Sequence, residues 1–184
     1  MKYSAYIIVG VVGVALGAAG MRYFSPEEQL STTNVVRLKD PGTFGTTAAS
    51  VGGVLYTNNQ YHFTLRYPEG LVLKEFDEGA DSWTAVFQAP GEKVGFQIYI
   101  TPHASDTISG EVIRRDVPSG KIEDLQEEYL RPDLLVATFW SEAPLTGRNR
   151  EIWFIHGGYL YEFTAYAPAE GMLREVLQTL MFTD

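Results

Sequence analysis

Cysteine is missing from this chain. Its absence removes a disulfide scaffold, a thiolate nucleophile, a cysteine-ligated zinc and a lipid-modified N-terminal cysteine. Histidine is nearly as scarce. His62, His103 and His156 stand far apart, with no HExxH and no i, i+4 pair to seed a metal site. Basic residues are outnumbered, 14 Lys and Arg against 23 Asp and Glu, for a formal charge of −9. That field repels phosphate backbones and argues against nucleic acid as a partner.

Several chemical motifs are also lacking. "HGG" at 156–158 resembles part of an esterase oxyanion hole, but the chain has no GxSxG elbow to accompany it. There is no glycine-rich phosphate loop and no dinucleotide fingerprint. "EFDEGADS" (75–82) gathers Glu75, Asp77, Glu78 and Asp81 without the regular oxygen spacing and terminal bidentate Glu of a calcium loop. It reads as a solvated acidic loop. No catalytic, cofactor-binding or metal-ligating residue is assigned.

What the chain does contain starts at its N-terminus. "AYIIVGVVGVALGAAGM" (5–21) carries no charge, and flanking aromatic residues extend it to about 20 residues, the length of a bilayer-spanning helix. Tyr3, Tyr6, Tyr23 and Phe24 suit the headgroup zone. We expect residues 1–24 to be a membrane anchor that contacts lipid through residues 5–24. Its N-terminus would be cytoplasmic and the acidic remainder outside. The competing reading is a secretory signal cleaved after Ala19, which would release the domain. Gly10, Gly13, Gly17 and Gly20 fall on one helical stripe, a candidate helix–helix contact through which the chain could form homo-oligomers.

Residues 25–55 are rich in Ser, Thr, Gly and Pro and read as a flexible linker spanning on the order of 30 Å. A globular domain is expected over 56–184. Hydrophobic content of 45% and aromatic content of 13% suit a packed core. Period-two segments recur in "YHFTLRYP", "WTAVFQA", "GFQIYIT", "LLVATFW", "REIWFIH" and "YLYEFTAY", separated by turn chemistry. Two stretches read as helices: "DTISGEVIRRDV", with Asp106 as N-cap and Pro118 as stop, and "PAEGMLREVLQTLM", opened by Pro168.

"HGGY" has the signature of a two-residue hairpin. The implied register sets His156 opposite Tyr159, Ile155 opposite Leu160, Phe154 opposite Tyr161, Trp153 opposite Glu162 and Ile152 opposite Phe163. Both faces of that hairpin are largely apolar, so it should be central and covered on each side. The expected fold class is α+β: an antiparallel sheet with helices on both faces, an α/β/α sandwich. Most aromatic residues are then core. Trp153 beside Glu162 is the exception, a candidate partner contact if the pair lies at a sheet margin.

The order "YTNNQYHFTLRYPEG", "GFQIYITP", "IRRDVP", "GRNREIWFIHGGYLYEFTAY" and "LREVLQTLMF" resembles the PsbP family of photosystem II extrinsic proteins and its bacterial PsbP-like relatives. These share a fold with a nuclear-import factor that binds the small GTPase Ran. The resemblance is one of pattern and covers about residues 56–184. It implies an α/β/α sandwich and a protein that works by binding other proteins, and it transfers no binding residue. The N-terminal hydrophobic segment and the tether depart from the plant proteins. The expected function is a membrane-anchored extracytoplasmic interaction module for a protein or envelope component. Two alternatives stand beside it: an extracytoplasmic hydrolase with a site assembled from distant histidines and carboxylates, and an assembly component held together by the glycine stripe.

Overall fold

The computed structural model describes residues 53–117, 121–143 and 146–183. The expected anchor, its glycine stripe and nearly all of the linker lie outside the described residues. Among the described residues no helix is long and apolar enough to cross a membrane.

The chain forms β1 (Val54–Asn58), β2 (Phe63–Tyr67), β3 (Val72–Gly79), β4 (Ser82–Gln88), β5 (Gly95–Pro102), α1 (Gly110–Asp116), β6 (Ile122–Arg131), β7 (Leu134–Ala143), β8 (Gly147–His156), β9 (Tyr159–Tyr166), α2 (Glu170–Gln178) and β10 (Met181–Phe182). A short 3₁₀ turn, Ala167–Ala169, leads into α2. The strands make two antiparallel sheets, ordered β1-β2-β10 and β3-β4-β5-β9-β8-β7-β6.

The expected helix-covered α/β/α sandwich does not form. The molecule is mostly β, and one face of the large sheet is covered chiefly by the small sheet. Phe63 and Leu65 of β2 pack with Phe87, Phe96, Ile98, Ile152 and Phe163 of the large sheet, and α2 adds Leu173, Val176 and Leu177. On the other face α1 is only seven residues long. It places Ile113, with its C-cap Val117, on Ala137, Phe139, Trp153 and Leu160.

Both helices are shorter than the sequence suggests, for local reasons. Ser109, rather than Asp106, caps α1: its hydroxyl accepts from the Val112 amide at 3.2 Å. Pro168 is spent in the 3₁₀ turn, so α2 opens two residues later. At the other end "MF" leaves the helix to pair with Thr64 and Phe63. The small sheet likewise takes Val54 and Leu55, which were expected in the linker.

The central hairpin matches its sequence reading residue for residue. Gly157 and Gly158 turn at φ 59° and 81°, and the pairs from His156–Tyr159 to Ile152–Phe163 are in the inferred register. Elsewhere a glycine is required for a different reason. A Cβ on Gly95 would lie 2.2 Å from the Phe87 carbonyl oxygen, so only glycine lets β5 approach β4 this closely. The "EFDEG" stretch, read as part of an acidic loop, is strand β3 instead, and the loop shrinks to the turn at Ala80 and Asp81.

Candidate functional site

The seven-stranded sheet is not continuous along its full depth. Strands β7 and β8 pair from Ala143–Gly147 down to Ala137–Trp153, and there the ladder stops. Continuing the register would match Val136 with Phe154, Leu135 with Ile155 and Leu134 with His156, but none of these pairs forms. Leu134, Leu135 and Val136 remain paired to β6, while Phe154, Ile155 and His156 remain paired to β9. The sheet forks.

Local chemistry holds the fork apart. Strand β6 is bulged between Glu123 and Gln126 and again between Tyr129 and Arg131, and bulges sharpen twist and bend a strand away from its neighbours. The β6–β7 turn is tied to the end of α2. Arg131 donates to the Leu180 carbonyl and pairs with Asp133 at 2.8 Å, and the Gln178 amide donates to the Leu130 carbonyl at 2.8 Å. On the other wall Phe182 stacks on His156 and meets Phe154 edge-on.

The resulting cleft encloses about 410 Å³. Its walls are Leu134–Val136 and Phe154–His156, Trp153 lies at its closed end, and Asp106, Thr107 and Ile108 border it from the α1 side. Antiparallel strands direct the N–H and C=O of successive residues to alternate sides. At least one residue on each three-residue wall therefore points its backbone donor and acceptor into the gap. Beside the opening Tyr129 and Leu135 form a cross-strand pair with relative exposures of 70% and 48%. Among the described residues Val54, Leu55, Val72, Leu125 and Met181 are the other large apolar side chains left exposed.

The electrostatics of the cleft are one-sided. Among the described residues Asp106, Glu127 and Asp133 line it, with Arg131 as the lone cation, and Arg131 is engaged by Asp133 and Leu180. Among the described residues no cation lies within ion-pair distance of Asp106 or Glu127. Burial lowers the pKa of His156 below its ordinary value, which disfavours a second cation here.

The structure places the sequence-predicted residues differently from one another. Trp153 and Glu162 are cross-strand partners, as inferred, but β8 and β9 are interior strands and neither residue is at a margin. Trp153 is 2% exposed and reaches only the closed end of the cleft, its indole N–H donating to Glu151 at 3.1 Å. Glu162, at 9%, lies behind it near Glu151 and Asp116. Burial pushes the Glu162 carboxyl well above the usual carboxylate range, and the neighbouring acids reinforce that shift. Glu151 is also raised by burial, against the pull of its three donors, Ser141, Thr164 and Trp153.

The three histidines, distant in sequence, are brought toward one end of the molecule. The His62 carbonyl accepts from Thr183, His156 stacks on the adjacent Phe182, and the His103 amide donates to Gly158 in the hairpin turn. They do not form a catalytic arrangement. Among the described residues no hydrogen bond joins a histidine side chain to a carboxylate or hydroxyl, and no group of three His, Asp or Glu side chains is disposed to hold a metal ion.

A second groove, of about 240 Å³, lies near Trp140. Its charges are already matched, Lys121 with Glu142 at 2.7 Å and Arg148 with Glu123 at 3.0 Å. Arg148 and Arg150 also lie over the Trp140 ring, at 4.4 and 5.1 Å from its centroid. Arg150 joins Arg174, Glu128 and Glu170 in a network that ties α2 to the sheet. This region braces the fold.

Sequence reasoning missed the fork because nothing in "LLVATFW" or "REIWFIH" announces it: both strands keep their alternation past the point where pairing ends. The bulged and highly charged β6, "IEDLQEEYLR", is the only local signal.

No protein-family model matches the chain, and no curated protein matches it in sequence. In fold it is similar to the solution structure of cyanobacterial PsbP (CyanoP) from Synechocystis sp. PCC 6803. The TM-score is 0.51 at 15% identity, over 73% of this chain and 98% of that one. The resemblance to PsbP-like proteins therefore holds at the level of the fold.

Proposed function

We propose that this protein is a non-catalytic interaction module that receives part of a partner protein in the fork between β7 and β8. The observation that carries this reading is the fork itself. It opens backbone hydrogen-bonding groups inside a sheet, beside two exposed apolar side chains, with no assembled catalytic constellation among the described residues. Unpaired strand edges are templates for another chain. In this reading residues 5–24 hold the domain at the outer side of a membrane, and the linker lets it reach its partner.

A benzophenone photocrosslinker at Leu135 of the full-length chain, in its native membrane, tests the contact. Adducts are expected at Leu135, and none at Val72, which is 42% exposed at the opposite edge of the sheet. Absence of adducts at Leu135, or equal labelling at both positions, contradicts the reading. Protease added to intact cells tests the topology: the domain should be degraded, and full protection contradicts an outward-facing domain.

A further inference from the structure

We infer that the occupant of the fork is an extended peptide segment, basic and apolar in alternation, that adds a short strand between β7 and β8. This rests on the fork being the binding site and specifies what enters it.

Four features select that occupant. The unpaired walls are three residues deep, about 10 Å at 3.3 Å per residue, so the guest inserts roughly three extended residues. The backbone groups on the walls are satisfied by another strand's N–H and C=O groups, and an apolar small molecule has neither. Val136 and Phe154 supply apolar contact for the guest side chains that project to the small-sheet face. The rim then sets the charge: Asp106 and Glu127 are both exposed and without a cation, and the one cleft arginine is already neutralised. A lysine or arginine on alternate positions of the guest meets these carboxylates, whereas an acidic guest is repelled by them and by the chain's net charge of −9.

The test uses the full-length chain and a fluorescein-labelled Lys-Val-Lys-Ile-Lys-Val peptide, read by anisotropy. Three comparison peptides replace lysine by glutamate, or methylate alternate backbone amides in one register or the other. Binding of the basic peptide is expected, with at least tenfold weaker binding of the acidic peptide and of both methylated peptides, since alternate amides of an inserted strand bond to opposite walls. Asp106→Asn with Glu127→Gln should weaken the basic peptide at least fivefold. Glu69→Gln with Glu78→Gln, the same change in net charge at exposed sites remote from the fork, should leave it unchanged. All four side chains are exposed, so an unchanged denaturation midpoint verifies folding.

Equal binding of basic and acidic peptides, insensitivity to either methylated register, or equal losses in the two double variants overturns the inference. If Leu135 adducts form in the membrane while the basic peptide fails to bind, the peptide chemistry is wrong and the binding site stands. Loss of both removes the site as well.

Discussion

Glu162→Gln should stabilise this protein, increasingly so as pH rises. The Glu162 carboxyl is buried beside Glu151 and Asp116, and among the described residues no cation lies within ion-pair distance of it. Burial, reinforced by the two neighbouring acids, therefore holds its folded-state pKa well above the ordinary carboxylate value of 4.5, while the unfolded chain titrates near that value. Between those two points the folded state holds a proton that the unfolded state has released. Unfolding then becomes easier as pH climbs, by up to about 1.4 kcal/mol per pH unit for one proton. Below pH 4.5 both states are protonated and the penalty vanishes; above the raised folded value it is constant. Glutamine keeps the shape and the hydrogen-bonding oxygen but carries no such cost. The assay is urea denaturation of wild type and variant from pH 4 to 9, taking the difference in unfolding free energy so that other titrating groups cancel. The difference should be small at pH 4 and grow in favour of the variant through neutral pH. Parallel curves, or a variant that loses ground with rising pH, would refute the placement of an uncompensated acid beneath the α1 face.

Two further substitutions test the backbone reasoning. Gly95→Ala would force a Cβ to within 2.2 Å of the Phe87 carbonyl oxygen. It should cost about 1–3 kcal/mol or more in urea denaturation, and a neutral result would contradict the close approach of β4 and β5. Ala80 and Asp81 hold φ of 50° and 59° in the turn between β3 and β4, a conformation that suits Asn-Gly better. Ala80→Asn with Asp81→Gly should raise stability by about 1 kcal/mol, since a non-glycine residue there costs roughly 1–2 kcal/mol; a loss would show that this is not the turn the residues adopt.

The contrast between central and edge strands explains how much of the fold was legible. Strands β4, β5, β8 and β9 lie inside the large sheet and alternate or run apolar as burial demands, so their sequences declare them. Strands β3 and β6 are the two edges. The acids of β3 read as a loop and nothing in the sequence of β6 marked it as a strand, yet charge on an edge is what keeps a sheet from pairing with its neighbours. The α/β/α expectation failed for a related reason. Two apolar faces require two covers, and periodicity does not say that one cover is a second sheet built from "VLYTN", "FTLRY" and the two-residue end "MF". The hairpin register was legible because Gly-Gly turn geometry determines it locally. The fork was not, because it arises where two hairpins, each locally regular, are pulled apart by contacts such as Arg131 with Leu180 and Phe182 with His156.

The account stands on that fork being open and receptive, and residue-resolved amide hydrogen exchange on the full-length chain reads both properties. Amides along the paired stretch from Ala137–Trp153 to Ser141–Asn149 should be protected, while those of Leu134–Val136 and Phe154–His156 that face the gap exchange far faster. Adding the basic peptide should slow these amides and leave the outer edges β3 and β6 unchanged. Uniform protection from Ser141 through Leu134 would show a closed sheet and contradict the fork, and protection that ignores the peptide would contradict its role as the binding site.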